Sequence, residues 1–218
     1  MIAKLAKWLF LKIDNNFKTP LYQSSVKLRE ICYSSPFINV LRRRIEPGMI
    51  RFKYRLGIKD DKPLRLHLGC GDRRLAGYIN VDWRRTLATD LVCDIRKLPY
   101  HANSTDRIEL YHVIEHLPKC DLLDAFREWY RILYPGGKLI VECPDFDRSV
   151  EEYLQGNEER LYSIYGRQRF PGDTHYWGYT VKRLKKCLQQ TGFTNILERE
   201  PQDYHKDLEP CLRIEATK

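Results

Sequence analysis

The sequence predicts an α/β protein: a doubly wound, mostly parallel, seven-stranded sheet behind a basic, partly helical N-terminal extension. Two observations carry this. From residue 63 onward, short apolar runs of strand length alternate with a segment of helical periodicity and with glycine turns. The chain then closes on a second helical segment and two further strand-like runs, a pair open to an antiparallel arrangement.

In order, residues 64–68 (LRLHL) read as the first strand, cut by Gly69 and Gly71. Residues 77–82 (GYINVD), 90–94 (DLVCD) and 107–113 (RIELYHV) read as the second, third and fourth. A helix is expected over 121–134, where Leu122, Leu123, Phe126, Trp129, Tyr130 and Leu133 recur at helical spacing. Pro135-Gly136-Gly137 reads as a stop and turn before a fifth strand at 138–143. Thr180 is placed to cap a helix over 181–190 that Gly192 ends. Strands at 194–198 and 211–216 complete the set, and the alternation implies helices on both faces of the sheet. The expected division is an extension over 1–62 and a domain over 63–218, with an aromatic-rich lid insertion near 146–180.

Composition narrows the function. The 218 residues are 43% hydrophobic and 31% charged, which excludes a mainly disordered chain and a polytopic membrane protein. Formal net charge is +9, and it is local. Residues 1–60 hold 13 Lys/Arg against 4 Asp/Glu, whereas the remainder holds 25 of each. An electrically balanced domain argues against a nucleic-acid groove across it. The seven cysteines form no CxxC pair, so zinc ribbons and thioredoxin-like sites are disfavoured, and no residue set is read as a metal site. Scattered single cysteines suit reduced packing residues of a cytoplasmic protein.

Residues 1–13 place Ile2, Leu5, Leu9 and Ile13 on one helical face between lysines. The run is too short to span a bilayer. Two readings stand: a helix packed on the domain or on the twin subunit of a homodimer, and a helix lying peripherally on the inner face of an anionic membrane. The basic stretch to residue 60 is compatible with contact to a membrane or a protein.

In open α/β sheets a ligand binds beyond the carboxyl ends of the strands, where strand order reverses. Gly69-Cys70-Gly71, Asp82, Asp94 and His112 each follow a predicted strand. Glycines allow a sharp turn and a close approach of backbone to ligand. A carboxylate at Asp82 suits a ribose diol. A dinucleotide fits poorly: Arg74 stands where its third glycine belongs, and Asp72 adds negative charge where a pyrophosphate would lie. A cationic, phosphate-free ligand suits the set better, and S-adenosyl-L-methionine is one.

LHLGCGD at 66–72, INVD at 79–82, CDIRKLPY at 93–100, HVIEHL at 112–117 and LYPGGKLIVECPD at 133–145 together resemble a class I S-adenosylmethionine-dependent methyltransferase of the methyltransferase type 11 group, with a Rossmann-like fold. THYWGYTVKRLKKCLQQTGF at 174–193 resembles the end of these domains. Short proteins of this kind are often met among genes for polysaccharide or other glycan assembly. The resemblance implies that Gly69, Cys70 and Gly71 wrap the methionine end of the cofactor and that Asp82 binds the ribose. Trp83 would cover the adenine, Asp94 and Ile95 would hold its amino group and ring edge, and His112 would stand near the methionine. His67 departs from the family's usual acid: a neutral imidazole there can hydrogen-bond the cofactor's amino end but supplies no negative charge. The short link from Gly71 to Asp82 leaves little room for a first helix.

The acceptor is expected to be a small molecule or a glycan, methylated on a hydroxyl. A hydroxyl benefits from a general base, and His175 is the candidate, with Asp173 or Asp145 orienting it. Glu115 and His116 are read as capping and orienting the helix after the fourth strand, and Cys70 as a small turn residue. A scaffold subunit that binds cofactor without turnover is the alternative, with an RNA or protein methyltransferase behind it.

Overall fold

A computed structural model of the chain describes residues 36–58, 60 and 62–218. The two readings of residues 1–13 therefore lie outside the described residues. Seven strands form one sheet in the order β3-β2-β1-β4-β5-β7-β6. They are β1 (Leu64–Leu68), β2 (Ile79–Asp82), β3 (Leu91–Val92), β4 (Thr105–Tyr111), β5 (Leu133–Pro144), β6 (Thr194–Arg199) and β7 (Cys211–Thr217). The pairs β1–β2, β2–β3, β1–β4 and β4–β5 are parallel, while β7 runs antiparallel to both β5 and β6. From β1 the chain builds outward to β3, then returns to build outward on the other side from β4. The switch point lies between β1 and β4.

The helices are α1 (Pro36–Arg55), α2 (Lys119–Ile132), α3 (Phe146–Leu154), α4 (Arg160–Tyr165) and α5 (Val181–Gln190). α5 starts where Thr180 accepts a hydrogen bond from the Arg183 N–H at 3.2 Å, the expected cap. α2 begins two residues before its predicted start and buries Leu122, Ala125, Phe126, Trp129 and Ile132, with the Trp129 indole donating to the Ile95 carbonyl at 2.9 Å. Pro135-Gly136-Gly137 does not stop β5. Register passes from Thr105↔Leu133 directly to Arg107↔Lys138, so the intervening residues bulge out of the ladder.

α1 runs through Pro47 and Gly48, residues that ordinarily weaken or break a helix interior. Its Glu46 carboxylate accepts the Val92 N–H at 2.9 Å, so the helix covers the free edge of β3. α1 also leaves Leu41, Ile45, Met49 and Phe52 exposed. Among the described residues no helix is long and apolar enough to cross a membrane.

The two faces of the sheet differ in chemistry. On one, Leu66, Leu68, Val81, Ile108, Leu110, Val141 and Ile214 join Phe126, Trp129, Leu184 and Leu188 in a single apolar core. On the other, register aligns Asn80, His67, Glu109, Ile140 and Glu215 in one row, and Tyr111, Glu142 and Arg213 in the next. α2 and α5 therefore pack the same face. The polar face is covered by connections: Tyr78 donates to Glu109 at 2.6 Å, and the Gln202 and Asp203 N–H groups donate to Glu142 at 2.9 and 2.8 Å. Residues 70–78 form turns and no helix, as the short link implied.

Candidate cofactor and acceptor site

A cavity of about 1030 Å³ opens at the switch point, and all nine positions assigned to the cofactor border it. Gly69 ends β1 at φ +68°, and a Cβ there would lie 2.3 Å from a Val113 methyl, so no side chain fits. Gly71 at φ +53° turns the chain so that its N–H reaches Asp82 Oδ2 at 2.8 Å. The Arg84 N–H holds Asp82 Oδ1 at 2.7 Å. Both carboxylate oxygens are thus fixed by backbone, and each keeps a second lone pair.

His67 is buried on the polar face with Nδ1 2.9 Å from Asn80 Oδ1. That oxygen also accepts the Leu75 N–H at 2.8 Å, while the Asn80 amide nitrogen faces Asp90 Oδ2. The Asn80 oxygen is therefore the acceptor and His67 Nδ1 the donor, which leaves Nε2 with a free lone pair. Burial pushes the His67 pKa below its ordinary value, outweighing Asn80 and the nearby carboxylates, so the imidazole is neutral. Cys70 is buried and its thiol is pushed up to about 12 by burial, which suits a turn residue rather than a nucleophile.

Asp94 receives the Arg96 guanidinium on both oxygens, at 2.9 and 2.8 Å. Burial would raise its pKa, but these bonds outweigh burial and hold it below the usual carboxylate range. Trp83 is 44% exposed, with the Arg43 guanidinium 4.8 Å from its ring centre. His112 has a left-handed backbone, φ +53°, and donates its N–H to the Glu142 carbonyl at 2.9 Å. Its ring stacks on His205 at 3.9 Å.

The three acceptor-side candidates separate. Asp173 borders the cavity, but Arg169 takes both its oxygens, at 2.9 and 3.2 Å, so it does not orient His175. Ser163 does that instead: its carbonyl accepts from His175 Nδ1 at 2.9 Å. Asp145 caps α3 through the Arg148 N–H. His175 stands behind His116, with ring centres 4.8 Å apart, and it is His116 that borders the cavity. Burial, outweighing the pull of Glu115, lowers the His175 pKa.

Glu115 and His116 are not caps. They sit in a short 3-10 turn, Ile114–His116, with no side-chain cap, and α2 starts three residues later behind Pro118. Glu115 is 2% exposed and neither carboxylate oxygen has a hydrogen-bond partner. Its pKa is about 2, because His112, His116 and His175 outweigh the opposing effect of burial. Sequence reasoning also missed the connection 200–210, which brings Asp203, Tyr204 and His205 to the cavity wall. Its length and its aromatic and histidine content were the available signal, since a hairpin turn needs far less.

A sheet of this strand order, with a glycine turn after β1 and an acid ending β2 around one cavity, defines a class I S-adenosylmethionine-dependent methyltransferase. The chain belongs to the methyltransferase-domain family, whose model matches residues 41–198. Its cofactor is S-adenosylmethionine. Among solved structures it is similar to a SAM-dependent methyltransferase from Archaeoglobus fulgidus, at 14% identity and a TM-score of 0.51, over 79% of this chain and 94% of that one. It is also similar to a possible histamine N-methyltransferase from Thermotoga maritima, at 15% identity and a TM-score of 0.50, over 90% and 98%. At such identities the likeness is one of fold. A sequence comparison with curated proteins finds no match.

Proposed function

We propose that the protein transfers a methyl group from S-adenosylmethionine to a hydroxyl of a small-molecule or glycan acceptor. The observation that carries this reading is the continuity of the cavity. The nine cofactor positions and the acceptor-side His116, Phe170 and Tyr176 border one space, at the upper end of the roughly 300–1,000 Å³ common for ligand pockets. In this reading Asp82 takes the ribose, Trp83 and Ile95 flank the adenine, and His67 Nε2 accepts from the methionine ammonium. Residues 146–180 form a lid whose Phe170 and Tyr176 give a sugar-like ring a flat surface to lie against. His116, which borders the cavity at the lid's base, faces the acceptor hydroxyl. The transfer is an in-line displacement, so the chain's main contribution is to hold the acceptor oxygen about 3–3.5 Å from the methyl carbon.

A cytoplasmic location, with residues 1–60 touching a membrane face or partner protein, belongs to the same reading. The exposed apolar residues of α1 beside Arg43 and Arg44 support it.

The test is transfer of labelled methyl from S-adenosylmethionine to fractionated glycan and small-molecule pools, with mass spectrometry of the product. A methyl ether on a hydroxyl is the expected product; an N-methylated product or methylated RNA overturns the acceptor class. A second test concerns His67. Protonation turns Nε2 from acceptor to donor and adds positive charge facing the ammonium. Affinity for S-adenosylhomocysteine is therefore expected to be flat above neutral pH. It should fall only as pH drops below the ordinary imidazole range, because the folded pKa is depressed. His67→Gln should flatten that acid limb; calorimetric titrations across pH check it.

A further inference from the structure

We propose that Glu115, His116 and His175 form a site for a divalent first-row transition metal ion at the acceptor end of the cavity. One ligand atom from each lies within 4.8 Å of the other two. Metal–ligand bonds of about 2.0–2.2 Å place such atoms roughly 3–3.5 Å apart, so small side-chain rotations close the site.

Two features point to a cation, and a third holds the parts together. The first is Glu115, a carboxylate 2% exposed whose oxygens make no hydrogen bond and whose ion-pair partner is the His112 imidazole. Burying such a group without hydrogen bonds is costly unless a cation faces it. The nearest basic nitrogen, His112 Nδ1, stands 3.4 Å from Oε1 in a geometry that makes no hydrogen bond.

The second is the tautomer of the two imidazoles. His116 Nδ1 lies 3.1 Å from the Thr174 carbonyl and His175 Nδ1 lies 2.9 Å from the Ser163 carbonyl. A carbonyl only accepts, so each Nδ1 carries the proton and each Nε2 presents a lone pair. This is the outer-shell arrangement that orients metal-binding histidines.

The third is that backbone fixes the parts together. The Tyr176 N–H donates to the Glu115 carbonyl at 2.8 Å, and the His175 N–H to the Tyr165 carbonyl at 3.1 Å. Gly166 permits this closeness, because a Cβ there would meet the Asp173 carbonyl at 2.2 Å.

Two nitrogens and one carboxylate suit zinc, cobalt or ferrous ions better than magnesium or calcium. Three protein ligands leave at least one position open, and His116 borders the cavity. On the methyl-transfer reading, on which this part rests, the acceptor hydroxyl fills that position. The ion lowers the hydroxyl's pKa and its proton leaves to water. The oxygen then bonds to the methyl carbon as the C–S bond breaks. The bonding pair stays on sulfur, giving a methyl ether and neutral S-adenosylhomocysteine.

The full chain, stripped with chelator, is titrated with Co²⁺ and followed by its visible absorption. Saturation at one equivalent is expected, with the band bleached by Zn²⁺. Glu115→Gln and His175→Ala should each weaken binding by more than the ~10–100-fold that loss of an outer-shell partner costs. Circular dichroism confirms folding of the variants, and the native titration stands alone if one of them fails to fold. Absence of the cobalt band, or equal binding by native protein and Glu115→Gln, overturns the proposal. Calorimetry with S-adenosylhomocysteine separates the two readings. Heat without a cobalt site removes the metal alone. A cobalt site without heat leaves the metal site standing and removes methyl transfer.

Discussion

Replacing Asp82 by alanine is expected to weaken S-adenosylhomocysteine binding by on the order of 10²–10⁴-fold. Two hydrogen bonds from a ribose diol to a buried carboxylate are each charge-assisted, worth roughly 1.5–3 kcal/mol. The substitution also strips the Gly71 and Arg84 N–H groups of their acceptor. The glycine turn then loses the bond that shapes it, so the thermal midpoint should drop as well. Asp82→Asn separates these effects. Its amide oxygen still satisfies one N–H and fills the same volume, but the charge is gone and the amide NH₂ faces the other N–H. Binding should therefore suffer nearly as much in Asn as in Ala while the fold suffers less. Calorimetry with S-adenosylhomocysteine, paired with thermal melts, checks both. An unchanged affinity in Asp82→Ala would remove the ribose from this position.

The second large effect concerns the polar face of the sheet. Glu142 is fully buried, and Arg213 opposite it on β7 is 2% exposed; their side chains meet at 3.2 Å. Glu142→Ala leaves the guanidinium buried with Glu215, at 3.0 Å, and Tyr111 as its remaining partners. Removing one member of a buried ion pair costs about 3–5 kcal/mol. At ~2–4 °C per kcal/mol for a chain this long, the melting temperature should fall by roughly 6–20 °C. The paired change Glu142→Leu with Arg213→Met should recover most of that loss, since a packed apolar pair often matches a buried ion pair. It should not recover the cavity wall, because Glu142 also accepts the Gln202 and Asp203 N–H groups. A Glu142→Ala melt indistinguishable from native protein would mean that this face does not contribute to stability.

The strands were legible because several, such as β1, β2 and β5, are short runs ended by Gly69, Asp82 and Pro144; their order in the sheet was not. Gly69, Gly71 and Asp82 were singled out for the same reason: they stand at strand ends, and the folded chain brings all three to one cavity. What was harder to see is how different the two buried faces are. LRLHL, RIELY and CLRIEAT alternate apolar and polar residues; the apolar set meets α2 and α5, and the polar set is buried under connections. α3 was also readable, from Asp145 as cap and Phe146, Val150, Tyr153 and Leu154 at helical spacing. α1 through Pro47 was not. Its tolerance for proline depends on contacts such as Glu46 with the β3 edge, 46 positions away in sequence. Glu115 was misassigned because burial, which makes an acid informative, cannot be seen in a motif. Only the folded chain shows that its oxygens face three imidazoles.

The two-faced sheet separates what usually trades off. Odd and even positions along one strand answer to different demands, one to cohesion and the other to reactivity. Drift at His67 or Tyr111 alters the chemistry offered to a ligand, while Leu66, Leu68 and Leu110 hold the scaffold upright behind it. A lineage built this way can change substrates without first rebuilding its interior.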